Sequence, residues 1–279
     1  MKVERISLKH RDLLYPKLHQ LDTVLSEYSF ANLYLFRNIH QYEVMIDGEV
    51  FVKGITRDQQ QFLMPIFKPE QKHLSKIKSL LGENEYLYPI PQEWQSPFQN
   101  TEFKIFFNED DSDYLFRVDK LALFPGRHLS KKRNLVKQLV TEHQVESESL
   151  SNLNKPEAIA ILRHWQQSQE TENDFEECLE ALHLLDELGL QGELYYVDDQ
   201  PAGFVIGEWI NQNCFVVHFD KADKSTKGLY QYLLQHFAQS LENHEAWINL
   251  EQDLGFPVLR QSKHSYKPDI IAQKLRIRK

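Results

Sequence analysis

The span "INLEQDLGFPVLRQSKHSYKP", residues 248–268, gathers an asparagine, two carboxylates and several cationic or imidazole side chains. Read as a strand, its start puts Asn249, Glu251 and Asp253 on one face and Ile248, Leu250 and Leu254 on the other, because successive side chains alternate across a sheet. After a turn at Gly255 and Pro257, a helix would bring Arg260, Lys263, His264 and Lys267 onto one surface through three- and four-residue spacing. One carboxylate, Glu251 ahead of Asp253, would then take a proton from an attacking amine or hydroxyl while Arg260 or Lys263 holds an anionic part of a substrate. Tyr266, next to the charged residues, would protonate a leaving group. The same residues also suit an ion-pair network that pins the last helix to the sheet, since a buried carboxylate without a partner is costly.

A second set of polar residues lies upstream. Alternation along "CFVVHF" and the residues after it puts His218 and Asp220 on one face. An imidazole with a pKa of about 6.5 suits base chemistry, and it equally suits a hydrogen-bonded place in a sheet. Tyr230, at the start of the next helix, is either a proton donor or a packing residue. The sequence contains no Ser-His-Asp order, zinc spacing, Walker loop or dinucleotide fingerprint. Its twelve histidines are scattered without ligand spacing, so no metal and no tightly bound cofactor are expected.

These residues belong to a chain of 279 residues, 41% hydrophobic and 26% charged, a composition that folds into one large domain or two ordinary ones. No apolar run reaches bilayer length and the start lacks a signal-peptide core, so a cytoplasmic protein without a transmembrane segment is expected. Two cysteines, Cys178 and Cys214, make no disulfide framework and read as buried small hydrophobes. A net charge of −9 argues against general DNA binding. Residues 142–199 are strongly acidic, whereas "RHLSKKRN" (127–134) and the last sixty residues lean basic, leaving local faces for an anionic substrate.

The elements that would position these groups repeat in order. Leu18, Leu21, Leu25, Tyr28, Leu33 and Phe36 recur at helical intervals. "YEVMI" and "EVFVKGI" flank Asp47-Gly48, a hairpin signal, and "QFLMPIF", a helix ending at Gly82 and the strand "EYLYPI" follow. Helices near residues 156–167 and 175–188 open the second half. "ELYYV", "AGFVIGEWI" and "CFVVHF" come next, then a helix to about Glu242 and the strand "AWINLE". Each half reads helix, three-strand meander, helix, strand: an α+β protein of mostly antiparallel sheets covered by helices, divided near residue 145 into 1–145 and 146–279.

This element order is similar to the GNAT acyltransferase fold. "YSFANLYLFR" (28–37), "LALFPGRHLSKKRN" (121–134), "HFDKA" (218–222), "KGLYQYL" (227–233) and the opening span resemble, in order, the phosphatidylglycerol lysyltransferase C-terminal domain family. The resemblance implies two tandem GNAT-like domains and kinship with Fem-type aminoacyl transferases, which move an amino acid from aminoacyl-tRNA to an amine or hydroxyl. It implies a site in the second domain, with Asp220 and Lys221 bordering the donor cleft. Arg133 and Asn134 of the basic motif would meet donor phosphate or the domain interface, and Lys131 and Lys132 would form a solvated helix face. In place of the glycine-rich pyrophosphate loop of coenzyme A-dependent members stands "DKSTKGLYQ", with one glycine, Gly228, and with Lys224 and Lys227 to supply charge. The expected activity is acyl or aminoacyl transfer from an activated donor to a small amine or hydroxyl acceptor. An acyl-CoA-dependent N-acyltransferase and a non-catalytic binding protein on the same fold are the alternatives.

Overall fold

Turn chemistry at Asp47-Gly48 sets the first sheet in train. In the computed structural model, which describes residues 2–168 and 173–279, strand β1 (Lys2–Arg5) pairs with β2 (Glu43–Asp47). β2 reverses through Gly48, whose φ of 78° lies in the left-handed region, into β3 (Glu49–Ile55). β4 (Gln61–Pro65) completes the meander, helix α3 (Leu74–Leu80) crosses over, and β5 (Glu85–Pro91) returns parallel to β4. A parallel neighbour needs such a crossover, whereas the antiparallel pairs need only turns. Between β1 and β2 stand α1 (Arg11–His19) and α2 (Phe30–Leu35). The helical spacing expected over residues 18–36 is broken: residues 20–29 are irregular, although Leu25 and Tyr28 are buried. Burial imposed the apolar spacing there without a helix, and Ser29 starts α2 by accepting the Asn32 N–H at 3.0 Å.

The same order recurs after β6 (Lys104–Phe107) and β7 (Asp113–Arg117). Helices α4 (Val118–Leu123) and α5 (Ser130–Glu142) lead to β8 (Val145–Ser149), then to α6 (Lys155–Gln167), α7 (Phe175–His183) and α8 (Leu185–Leu188). The meander is β9 (Gln191–Val197), β10 (Gln200–Asn211) and β11 (Cys214–Ala222). Helix α9 (Leu229–Ser240) crosses to β12 (Trp247–Asn249), parallel to β11. The chain ends with α10 (Pro257–Ser265), β13 (Ile270–Ala272) and β14 (Lys274–Arg278).

Two compact units result. One comprises the chain up to Tyr114 with Glu251–His264 and Ile270–Lys279; the other comprises Leu115–Leu250 with Ser265–Asp269. The division therefore falls inside β7 and not near residue 145, and the C-terminal segment returns to the first unit. Sheet pairing is the cause. β14 inserts between β5 and β6, giving the order β1-β2-β3-β4-β5-β14-β6, a partnership no local pattern announces. In the second unit the order β8-β9-β10-β11-β12 continues through residues Leu115–Arg117 of β7, antiparallel to β12. α9 packs on this sheet through Phe237, whose ring lies 5.1 Å from that of Phe215.

Inside the first unit β14 is fixed by charge. Lys274, fully buried, places its ammonium 2.6 Å from Asp113, 2.7 Å from Glu27 and 2.7 Å from the Gln252 side-chain oxygen. Asp113 also accepts the backbone N–H of Ser26 at 2.8 Å and its hydroxyl at 3.2 Å. One cation thus joins four distant segments. Arg276 repeats the device nearer the surface, with Asp58 at 2.7 Å and Asp111 at 2.7 Å. Lys274→Met should cost about 3–5 kcal/mol in urea unfolding, because two buried carboxylates lose their cation. Burial pushes the Glu27 carboxyl from 4.5 up to about 7 against the pull of Lys274. The folded state then holds that proton more tightly than the unfolded chain, so stability should fall as pH rises from about 4.5 towards about 7. Glu27→Gln should flatten that slope, measured as unfolding midpoint against pH.

Candidate functional site

In the second unit several of the expected site residues lie where β11 outruns β12. The parallel ladder covers only Cys214–Val216 against Trp247–Asn249, and β11 continues to Ala222. Just beyond the ladder β11 carries a bulge: Ile206 faces Phe219 and Gly207 faces Val217, leaving His218 as the extra residue. A bulge re-aims the side chain it carries. Simple alternation therefore fails here, and His218 is buried while Asp220 is exposed. His218 Nε2 lies 3.0 Å from Glu208 Oε1, a buried pair in which the carboxylate favours a proton on Nε2.

Lys221 is also buried. Its ammonium meets both oxygens of Asp174 at 2.7 and 2.8 Å and lies 4.0 Å from the ring centre of Trp165. Its charge is thus matched within the protein. Tyr230 stands beside the same group. Burial lifts its hydroxyl to about 12, Asp220's charge adds to this, and the Ala222 backbone and the Trp165 side chain oppose it. The phenol is a proton carrier at neutral pH.

The loop before α9 is closed on itself. Asp223 accepts the Ser225 N–H at 2.9 Å and its hydroxyl at 2.7 Å, the Thr226 N–H goes to the Asp223 carbonyl, and the Leu229 N–H goes to the Thr226 carbonyl. Burial works to raise the Asp223 carboxyl, but the Ser225 bonds prevail and hold it below its ordinary value. Gly228 takes φ 90°, and a Cβ there would stand 2.5 Å from the Leu135 carbonyl oxygen of α5. The glycine serves close packing of α9 on α5. Lys224 and Lys227 are exposed.

The basic motif divides in an unexpected way. Arg133 donates to the carbonyls of Phe124 and Gly126, the latter at 2.8 Å, closing the left-handed end of α4. Asn134 is exposed on α5. Lys132 lies over the Tyr266 ring at 3.8 Å. Tyr266 itself is buried against Phe124 and Phe116, takes a 3.4 Å bond from the Gln231 amide, and has its hydroxyl pushed well above the ordinary value by burial.

The charged C-terminal span lies mostly in the first unit. β12 ends at Asn249, a fully buried residue of the second unit, and Glu251 adopts φ 57°. A left-handed residue breaks the alternation that would have aligned Asn249, Glu251 and Asp253. Asp253, fully buried, accepts the Tyr114 hydroxyl at 2.6 Å, Arg260 at 2.6 and 2.9 Å, and the Gly255 N–H at 2.9 Å. A carboxylate has about four acceptor sites, and these bonds occupy them. Burial raises its carboxyl, yet the Arg260 and Tyr114 bonds outweigh that and leave it below the ordinary range. Arg260 also meets Asp110 at 2.5 Å, and Lys263 donates to the Glu251 and Gln252 carbonyls at 3.1 and 2.5 Å. The half-buried Glu251 carboxylate receives the Asn32 amide at 3.1 Å. Asp253, Arg260 and Lys263 thus anchor α10, and Glu251 is held by a neutral amide.

Sequence reading missed Glu208, Trp165, Asp174, Asn32 and Tyr114. Glu208 meets His218 across the β10–β11 hairpin, and the other four meet their partners across long sequence separation, with no local signal except that "YSFANLYLFR" contains Asn32. Among the described residues no group of three or more His, Cys, Asp and Glu side chains could hold a metal, and no helix is long and apolar enough to cross a membrane.

Two repeats of a meander, a crossover helix and a parallel strand make a tandem GNAT-like fold. Residues 19–276 match the family described as phosphatidylglycerol lysyltransferase, C-terminal, and the chain belongs to it. A conserved protein of unknown function from Bacteroides thetaiotaomicron is similar over 99% of both chains, with 24% identity and a TM-score of 0.88. The C-terminal domain of an Agrobacterium fabrum protein assigned as a lysylphosphatidylglycerol synthetase is 12% identical, over 98% of this chain and 93% of that one, with a TM-score of 0.64. FemX superposes at TM-score 0.58 and 9% identity, over 99% and 97%. Family and fold support an acyl or aminoacyl transferase in general. Asp253→Ala should lower stability by about 3 kcal/mol in chemical denaturation, since it strips Arg260 and Tyr114 of their common acceptor.

Proposed function

We propose that this protein transfers an aminoacyl group from aminoacyl-tRNA to an amine or hydroxyl of a small acceptor. One observation favours this donor over acyl-coenzyme A: Asp223 fills the loop before α9 with its own carboxylate and takes up the Ser225 donors. A pyrophosphate seated there would meet a negative charge where anion-binding loops present free N–H groups. The exposed Lys224 and Lys227 are the feature that favours the coenzyme A reading.

The reaction is direct attack. Both cysteines are fully buried and burial pushes the Cys178 thiol far above its ordinary value, which argues against an acyl-thiol intermediate. The acceptor's nitrogen or oxygen bonds to the ester carbonyl carbon, its proton passes to a carboxylate, and the ester C–O bond breaks to return the ribose hydroxyl to the tRNA. Glu251 is the base in this reading, with Asn32 orienting it. The proton that Glu251 takes up returns to the leaving ribose oxygen.

Thermal-shift titration with aminoacyl-tRNA at 100 times its Kd should add about 2.7 kcal/mol of stability, and acetyl-coenzyme A should add none. A shift with acetyl-coenzyme A alone would replace the donor, and silence with both would remove the transferase reading. Glu251→Gln should abolish transfer while changing unfolding free energy by less than about 0.5 kcal/mol; retained transfer would exclude Glu251 as base.

A further inference from the structure

The chain carries a net charge of −9, yet from Lys120 to Thr141 it has no acidic residue. Arg127, His128, Lys131 and Lys137 of this stretch are exposed and make no ion pair among the described residues. Elsewhere the cations are commonly matched, as in Lys76 with Asp47, Lys78 with Glu102 and Arg276 with Asp58. Lys131, Lys132 and Arg133 fill the first turn of α5, which has no acidic residue. Cations at a helix N-terminus oppose the positive end of the helix dipole, so the sequence keeps an unfavourable arrangement.

A second element extends this face. Gly228 packs so closely on α5 that its Cβ position is 2.5 Å from the Leu135 carbonyl and 3.5 Å from Leu139. Lys227, next to that contact, and Lys224 are exposed, and Lys131 lies four residues, about 6 Å along the helix, before Leu135. The apolar stripe of α5, Val136 and Leu139, is buried, so the outward face presents Lys131, Asn134, Lys137, Gln138 and Thr141, with Val140 as a single exposed apolar residue among them. A membrane-binding helix would expose its apolar stripe instead. A track of lysines and an arginine separated by small polar groups matches the repeating phosphates of a nucleic-acid backbone.

We infer that the outer face of α5, with Arg127, and the lysine loop before α9 form a docking surface for the phosphodiester backbone of RNA. This rests on the aminoacyl-tRNA reading for its biological partner. Docking here is independent of base sequence, because phosphate contacts position a ligand without reading it.

The test is fluorescence anisotropy of the full-length protein with labelled, deacylated bulk tRNA across a salt series. Lys131→Glu/Lys137→Glu and Lys224→Glu/Lys227→Glu should each weaken binding about tenfold or more and flatten the plot of log affinity against log salt by about 1.5 to 2. Lys68→Glu, on the exposed surface of the first unit, should bind as wild type, and matching thermal melts establish that the reversals fold. Wild-type affinity in both double variants overturns the proposal. So does failure of tRNA to bind while phosphatidylglycerol vesicles bind through the same lysines. If tRNA docks here but charged tRNA yields no transfer, this surface stands and the transferase reading falls. If transfer proceeds and both double variants bind normally, the transferase reading stands and this surface falls.

Discussion

A single buried ammonium organises the first unit. Lys274 reaches Asp113, Glu27 and Gln252, and each of those residues belongs to a different stretch of chain. Removing a charge from water is expensive, and the cost is offset only where opposite charges and hydrogen bonds converge with good geometry. That convergence requires β14 to lie between β5 and β6, so the chain's last strand, the segment leading into β7 and the irregular stretch before α2 must all assemble together. The return of the C-terminal segment to the first unit follows from the same constraint.

The span richest in ionisable groups therefore serves two purposes. Asp253 has its acceptor sites filled by Tyr114, Arg260 and Gly255, and Lys263 is spent on backbone carbonyls. These groups hold α10 in place. Glu251, two residues from Asp253, faces a neutral amide and takes a backbone conformation that a strand would not allow. Differences in bonding separate adjacent carboxylates into an anchor and a candidate base, as environment does wherever two acids share a neighbourhood.

In the second unit the same logic sorts the cations. Lys221 is enclosed by Asp174 and Trp165, Arg133 closes the end of α4, and Lys132 covers Tyr266. Among the described residues Arg127, Lys131, Lys137 and Lys227 are exposed without an ion pair, and Lys224, also exposed, lies 5.9 Å from the centre of the Trp165 ring. Arg133 and Lys131 are close in sequence and alike in charge. Carbonyl groups of the preceding turn, not the basic motif itself, decide which of them turns inward.

Much of the fold was legible in the residues. The hairpin at Gly48, the meanders, the crossover helices and the stop at Gly189 follow from periodicity and turn chemistry, which act over a few residues. The strands β1, β8 and β14 were not legible: β1 and β8 are short and mostly polar, and β14 alternates Leu275 and Ile277 with cations over only five residues. The bulge at His218 was also invisible, since one extra residue in a ladder is defined by the partner strand. Local sequence by itself determined most of the elements, the architectural repeat and the stock of charged groups. Tertiary structure alone decided which carboxylate is saturated, which cation is buried and which unit receives the C-terminus, because pairing and desolvation arise between residues that the chain brings together only on folding.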